Sequence, residues 1–429
     1  MQGFYQYVDK DMKGKILLFM RFFTGFVCLF AVFSLSCGGS KTALIWTDSP
    51  EFAIYGEYFN TVQNQYKVTV RYVEFPAAEL GRTGNNPDIV VGSWLKNAST
   101  GTYFRPLDNL FGAQKLSRSV FYSRLLAIGR IDRNQYLLPV SFNISALIFA
   151  RGMDQELSNQ FTIDFDEIKK LSRNFNIESR GSYSRMGFSP YWDDNFLLTA
   201  ATLSGASFSE ADPLTWDSQA LESSMDFIYN WTHEINTNNQ MEEDFKFKYF
   251  FEPPEKLIQS GRILFSYMVS RDLFKLSEDT MNNIDFRWIM EQNRIPLTDD
   301  SVYLGIPKKV KSMRAARAFV MWFFQTESQR RLLEYSRANR LHENIFGICS
   351  GFSALSPVTE QIFPLFYPEL LGRMPLSEYL TPPNILPGNW VIIKERVVLP
   401  YLHDRSRRET ADETSSLERR LSDWLRMNR

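Results

Sequence analysis

Cysteine and histidine are both scarce here, with three of each in 429 residues. Cys28 and Cys37 stand near the start, and Cys349 stands alone far downstream. If Cys37 carries lipid, as read below, no intrachain disulfide is left for the body of the chain. So few cysteines and histidines also argue against a zinc or haem centre, and no cofactor is expected. His233, His342 and His403 sit apart among polar neighbours and read as surface residues. Net charge is missing too, at 48 basic against 49 acidic side chains. That removes the electrostatic footprint of a nucleic-acid binder and makes a neutral partner easier to accommodate than a polyanion. Beyond the leader no run of 18 apolar residues occurs, so the body is expected to be soluble. No repeat of fixed period and no low-complexity tract is visible. Gly-x-Ser-x-Gly, His-Glu-x-x-His and phosphate-cradling loops are absent as well.

What is present starts with the leader. Lys13, Lys15 and Arg21 precede an apolar stretch from Phe22 to Leu35, which ends in Ser34-Leu35-Ser36-Cys37 and then Gly38-Gly39-Ser40. A positive region, a short apolar region, a small residue and a cysteine form the layout of a bacterial lipoprotein export signal. The apolar run of about 14 residues is shorter than the ~20 of a spanning helix. A retained helix counted from Ile16 is the competing reading, with Arg21 interrupting it. Leu35 falls one place later than the usual lipobox leucine. The expectation is a signal over 1–36, a lipid on Cys37 and a tether over 37–41. The body would then hang in the cell envelope, on the periplasmic side or outer face of a bacterial membrane. Two or more acyl chains would anchor it stably.

The remaining length exceeds one compact core and suggests two or three domains. Hydrophobic content is 44% and charged content 23%, ordinary for a globular protein. Aromatic content is 15%, including 19 Tyr and 9 Trp, a surplus that suits a site with flat faces. Thr42–Trp46 reads as a strand, and Ser49-Pro50 as the cap and first residue of a helix whose face is Phe52, Tyr55, Phe59, Val62 and Tyr66. Lys67–Glu74 alternates as a strand, and Asp88–Gly92 is a short buried one. This β-α-β order marks a layered α/β domain. Leu125–Ile131 and Tyr136–Pro139 read as a hairpin around Asp132–Gln135, and Ser141–Ala150 as another strand. Asp164 and Glu167 form a capping box for a helix burying Phe165, Ile168, Leu171 and Phe175. Asp217 caps a helix with Leu221, Met225, Ile228 and Ile235 inward. Pro253–Gly261 is a short helix, Arg262–Tyr267 and Phe286–Met290 are strands, Arg314–Ser336 is a long helix, and Leu417–Met427 is a terminal one.

Four stretches carry a resemblance. They are Asn86-Pro87-Asp88-Ile89-Val90-Val91-Gly92-Ser93-Trp94, the segment Leu138–Phe149, Gly261–Tyr267, and Gly305–Lys308 with Ala315–Gln325 and Glu327–Gln329. In order and spacing they resemble the family 1 extracellular solute-binding lipoproteins of ABC importers, similar to maltose-binding and related sugar-binding proteins. The resemblance spans roughly 41–345. It implies a periplasmic-binding-protein type II fold, with two α/β lobes joined by hinge strands and a ligand cleft between them. Lobe 1 would hold 42–139 and 301–345, lobe 2 would hold 140–300, and 346–429 would join lobe 2. The implied partners are a small carbohydrate solute and ABC permease subunits, with the chain acting as a monomer. The implied function is capture of a neutral sugar or oligosaccharide without chemistry. A sensory or adhesive lipoprotein using the same fold is the alternative, and a glycosidase the weaker one.

A sugar site needs aromatic plates for ring faces and polar groups for the hydroxyl rim. Trp94 follows a buried strand, where loops line clefts in open α/β sheets, and the family often places a stacking Trp there; packing onto its own lobe is the plainer role. Asn143 falls in the first hinge crossing, as a ligand contact or as a backbone tie. Trp46 and Asp48 end the first strand, with Asp48 also placed to face a helix N-terminus. Trp192 and Asp193 could clamp a sugar or merely cap the helix that follows. Tyr267 ends a strand toward the expected cleft, and Trp390 is a late stacking candidate. Phe142, beside Asn143, reads as core. As an acid pair, Asp193 and Asp194 are too close: glycosidase carboxyls stand about 5 Å or more apart across the scissile bond.

Overall fold

In the computed structural model residues 41–80, 86–408 and 416–428 are described. The leader, Cys37 and most of the tether lie outside them. The first strand, β1 (Thr42–Thr47), buries Ala43 and Ile45 and pairs in parallel with β2 (Lys67–Tyr72) and β3 (Ile89–Ser93). The connecting helix α1 (Glu51–Val62) buries Phe52, Tyr55 and Phe59, the expected face. It starts one residue late: Pro50 takes the cap position, and the Ser49 hydroxyl donates to Asp48 instead of capping. Val62 is exposed, because the helix has turned past the sheet by then. β3 is buried along its whole length, which is why it reads as an unbroken apolar run. Asp88 just before it ties two elements. One carboxylate oxygen accepts the Leu44 N–H at 2.9 Å, and the other accepts those of Lys311 at 2.7 Å and Ser312 at 2.9 Å. Ser312 precedes a helix, so the charge also meets a helix N-terminus.

Apart from short two-stranded ladders, the remaining strands of the described residues divide between two sheets and one separate pair. They are β4 (Leu137–Phe142), β5 (Ser145–Ala150), β6 (Thr162–Ile163), β7 (Ser266–Val269), β8 (Ile284–Ile289), β9 (Ile295–Pro296), β10 (Val302–Gly305), β11 (Phe352–Ser353) and β12 (Leu380–Thr381). The larger sheet has the order β11-β4-β10-β3-β1-β2, and the smaller β7-β5-β8-β6. β9 and β12 form a separate parallel pair. The run 141–150, expected as one strand, is therefore two, split at Asn143-Ile144, and each half belongs to a different sheet. This is the two-lobed α/β architecture expected from the sequence. The chain passes between sheets three times: at Asn143-Ile144, at 297–301 between β9 and β10, and again between β11 and β12. The tail is thus shared. β11 pairs with β4 in the larger sheet, while residues 390–402, together with Leu417 and Leu421, pack into the core of the smaller one. The physical reason is the pair Phe142 and Phe352, whose rings lie 5.7 Å apart and hold β11 on the larger sheet.

Helices cover both sheets. α2 (Phe165–Phe175), α3 (Asp194–Leu203), α4 (Ser218–Ile235) and α5 (Asn239–Lys248) clothe the smaller one. α6 (Met313–Phe323) and α7 (Thr326–Ala338) clothe the larger. The expected single helix over 314–336 breaks at Phe324-Gln325, where the next helix begins. Asp217 accepts the Ala220 N–H and caps α4. Asp164 caps α2 through the Glu167 N–H, but Glu167 turns its carboxylate to Ser158, so only half of the capping box forms. The hairpin is also smaller than expected: Arg130-Ile131 pairs with Asn134-Gln135, and Ser123–Ile128 is helical. The last helices, α8 (Leu399–Arg407) and α9 (Leu417–Met427), close the smaller lobe.

Glu242 on α5 is buried, and burial lifts its carboxyl to about 7 against hydrogen bonds from Asn236, Ser189 and Thr232. A raised folded value means the folded state binds this proton more tightly. Its contribution is fully present below the unfolded value near 4.5 and is lost as pH rises through about 7. Glu242→Gln should flatten this dependence and gain about 3 kcal/mol over the wild type at pH 8, with little difference at pH 4. Denaturant midpoints at the two pH values measure it, and parallel curves would refute the assignment.

Candidate functional site: cavities beside the crossing strands

The first crossing sets the geometry. The Asn143 carbonyl accepts the Thr298 N–H at 2.9 Å, its Nδ2 donates to the Ser350 carbonyl at 3.0 Å, and its Oδ1 accepts from Ser270 Oγ at 2.7 Å. Asn143 therefore ties the first crossing to the second, to β7's continuation and to the turn before β11. Gly351 follows from the same crowding: a Cβ there would stand 2.8 Å from the Phe142 carbonyl. Of the two roles open to Asn143, the structure places it in the backbone tie, and it lines none of the cavities described here.

Two residues on, Ser145 faces a cavity of about 240 Å³. Its walls are β5 and β7, one face of α3 from Asn195 to Thr202, the second crossing from Pro296 to Asp299, and the tail from Thr381 to Lys394. Tyr267 lines it, with its hydroxyl 2.7 Å from Ser145 Oγ and 3.1 Å from Thr199 Oγ1. Burial pushes this phenol well up, so it stays a neutral donor and acceptor. Trp390 closes one end. Its indole N–H donates to Asp299, which also takes the Lys394 ammonium at 2.9 Å. Arg271 pairs with Asp300 in the same wall, and Arg294 donates to the Leu203 carbonyl at the end of α3.

A second cavity, of about 270 Å³, also has Tyr267 in its wall. Trp192 and Asp193 line it, with Phe245, Tyr249 and Phe250 from the end of α5 and the loop after it. Trp192 stacks on Phe245 at 5.8 Å with 20° between planes. Asp193 performs its plain role as well: it caps α3 by accepting the Asn195 N–H at 2.8 Å. Burial raises its carboxyl above the usual range.

Trp94 lies in a narrow crevice of about 40 Å³ between the larger sheet and residues 383–386 of the tail. Asp299 and Leu386 line both this crevice and the first cavity. The loop after Trp94 reaches the opposite lobe, where the Ala98 N–H donates to Glu210 at 2.7 Å. Five of the eight anticipated residues thus line these neighbouring spaces: Trp94, Trp192, Asp193, Tyr267 and Trp390. Trp46 and Asp48 do not line them. Trp46 is buried at the end of β1, with the Arg71 guanidinium 5.5 Å from its ring centre. Asp48 packs against Gly92 and Ser93, and burial raises its carboxyl to about 6.

Sequence reasoning missed Ser145, Thr199, Arg271, Asp299 and Lys394. Only Ser145 left a local signal, as the first residue after the polar break in an apolar run.

Neither the family models nor the curated proteins compared with this chain match it. Solved structures do. An ABC substrate-binding protein from Listeria monocytogenes in complex with cycloalternan is 14% identical, with TM-score 0.59, over 90% of this chain and 98% of its own. A cyclo/maltodextrin-binding protein complexed with maltotetraose is 15% identical, with TM-score 0.58, over 92% and 98%. The cyclic α-maltosyl-1,6-maltose binding protein from Arthrobacter globiformis is 13% identical, with TM-score 0.60, over 89% and 97%. At such identity the likeness is one of fold, and it runs through the tail as well as through the two lobes.

Asp299 is the residue on which the first cavity's charge balance turns. Asp299→Ala should cost about 3 kcal/mol, because it leaves the Lys394 ammonium buried without its carboxylate. Lys394→Met in the same chain should recover much of that loss. A thermal-unfolding cycle of the two single variants and the double measures it, and strictly additive costs would break the argument.

Proposed function

We propose that this chain is the solute-capturing subunit of an ABC importer, binding a sugar or oligosaccharide between its lobes and releasing it unchanged to a permease. One observation carries this reading: a hinge-side cavity in a two-lobed fold, walled by Tyr267 and Trp390 and edged by paired charges and hydroxyls. Aromatic faces suit sugar rings, and Ser145, Thr199 and Tyr267 suit hydroxyls. The similar solved structures named above bind oligosaccharides, which supports the same class here. They are binding proteins, and we read this chain as a binder rather than an enzyme. Its carboxylates fit that reading. Asp299 is engaged by Lys394 and Trp390, and Asp193 by the start of α3. A single chain suffices for capture, so a monomer is proposed.

Trp94→Ala tests the contribution of the larger lobe. It should weaken binding of a matched oligosaccharide about tenfold, or 1–2 kcal/mol, with the circular dichroism spectrum unchanged. Unchanged affinity by calorimetry would confine Trp94 to packing.

We also propose export and lipidation at Cys37, which would hold the chain on the outer side of a membrane while the lobes open and close. Labelled palmitate should enter the wild type in its host and not Cys37→Ala. Equal labelling would remove the anchor.

A further inference from the structure

Phe247, Phe250 and Phe251 are 84%, 68% and 94% exposed, in a stretch that runs from the end of α5 into the loop behind it. Such a cluster of bare rings calls for an occupant. Phe250 also lines the second cavity, so the exposed rings continue the aromatic wall of an internal space. The series is ordered: Trp192 stacks on Phe245, Phe245 lies 4.9 Å from Tyr249, and Phe250 lies 5.2 Å from Phe251, edge to face. Lys246 and Glu252 line the same cavity, placing polar groups beside the rings. The occupant is therefore apolar on its faces and hydrogen-bonding at its edges. A second protein surface would bury Lys246 and Glu252 with the phenyl groups, whereas a glycan chain offers hydroxyls to them and ring faces to the phenylalanines.

We infer that the loop carrying Phe250 and Phe251 is a second glycan-binding platform. It would take the part of a long oligosaccharide that extends beyond the hinge-side cavity toward the second cavity, the two spaces sharing Tyr267 in their walls. The inference rests on the function proposed above and adds a preference for chain length. A short sugar fills the first cavity alone. A long one reaches the platform and gains stacking on rings that are already in place.

The test is calorimetry of the full-length chain in detergent with malto- and manno-oligosaccharides of two to six units. In whichever series binds, the six-unit sugar should bind about tenfold tighter than the two-unit sugar. The Phe250→Ala/Phe251→Ala double variant should keep the short-sugar affinity and lose the difference. Both residues are exposed, so the fold should tolerate the change. Equal affinity at all lengths would overturn the platform and leave the sugar-binding reading standing. So would a length preference that survives in the double variant, or a concentration-dependent dimer in ultracentrifugation that the double variant abolishes. Failure of every sugar in both series would remove both readings.

Discussion

The two lobes depend on how the chain is fastened where it crosses between sheets. Three passes must leave one sheet and enter another without losing backbone hydrogen bonds, since the turn is buried and water cannot replace them. Asn143 meets much of that demand, joining the first crossing to the second and to the turn at Ser350. Beside it lies an aromatic cluster that belongs to neither sheet alone. Phe274 and Trp288 come from the smaller lobe, and Phe142 and Phe352 from the larger. Phe346 lies 4.8 Å from Phe274 and 5.0 Å from Phe352, joining the two groups. Apolar packing on this side is continuous from one lobe to the other. On the function proposed above, opening would pivot about this knot and occur on the opposite side. Contacts there include the Ala98 N–H to Glu210, Asn97 beside Gly388, and Trp94 against the tail.

Nearly all of the first cavity's wall comes from the smaller lobe, the second crossing and the tail. Trp94 of the larger lobe lines the adjoining crevice, which shares Asp299 and Leu386 with that cavity. On the function proposed above, capture would take two physical steps. A guest would settle on Tyr267 and Trp390, which are already held by their own hydrogen bonds. Closure would then bring Trp94 and the Ala98 backbone across. Preorganised walls lower the ordering cost of binding, and the movable part is small.

Much of the fold was legible because burial writes a period into the sequence. The α1 and α4 faces and the terminal helix could be read from spacings of three and four. The break at Asn143-Ile144 could not, because β4 and β5 are buried on both faces and their residues run together as one apolar stretch. The family-like Pro87-Asp88 is a case of the right residue with a local meaning: Asp88 serves β1 and α6, not a ligand. The site was legible only in its rings. Tryptophan and tyrosine at strand ends invite the guess, but their partners lie far away in sequence. Asp299 and Trp390 are 91 residues apart, and no periodic pattern connects them. Trp46 shows the opposite failure, since it sits at a strand end yet its face belongs to the core.

The charges in the first cavity bear on which guest it suits. Arg271 and Lys394 each have a carboxylate, and Arg294 points a donor at the C-terminal carbonyl of α3, where the helix dipole is negative. The cations are thus compensated inside the protein before a guest arrives. An anionic guest would have to compete with Asp299 and Asp300 for them, and would lie near two carboxylates as it did so. A guest of hydroxyls meets no such conflict. It can accept from protein donors and donate to the free lone pairs of Asp299 without separating either pair. Paired charges hold the dipoles of the wall in fixed directions, which lends specificity for the positions of hydroxyls rather than for net charge. A guest without net charge would leave both ion pairs of this wall intact.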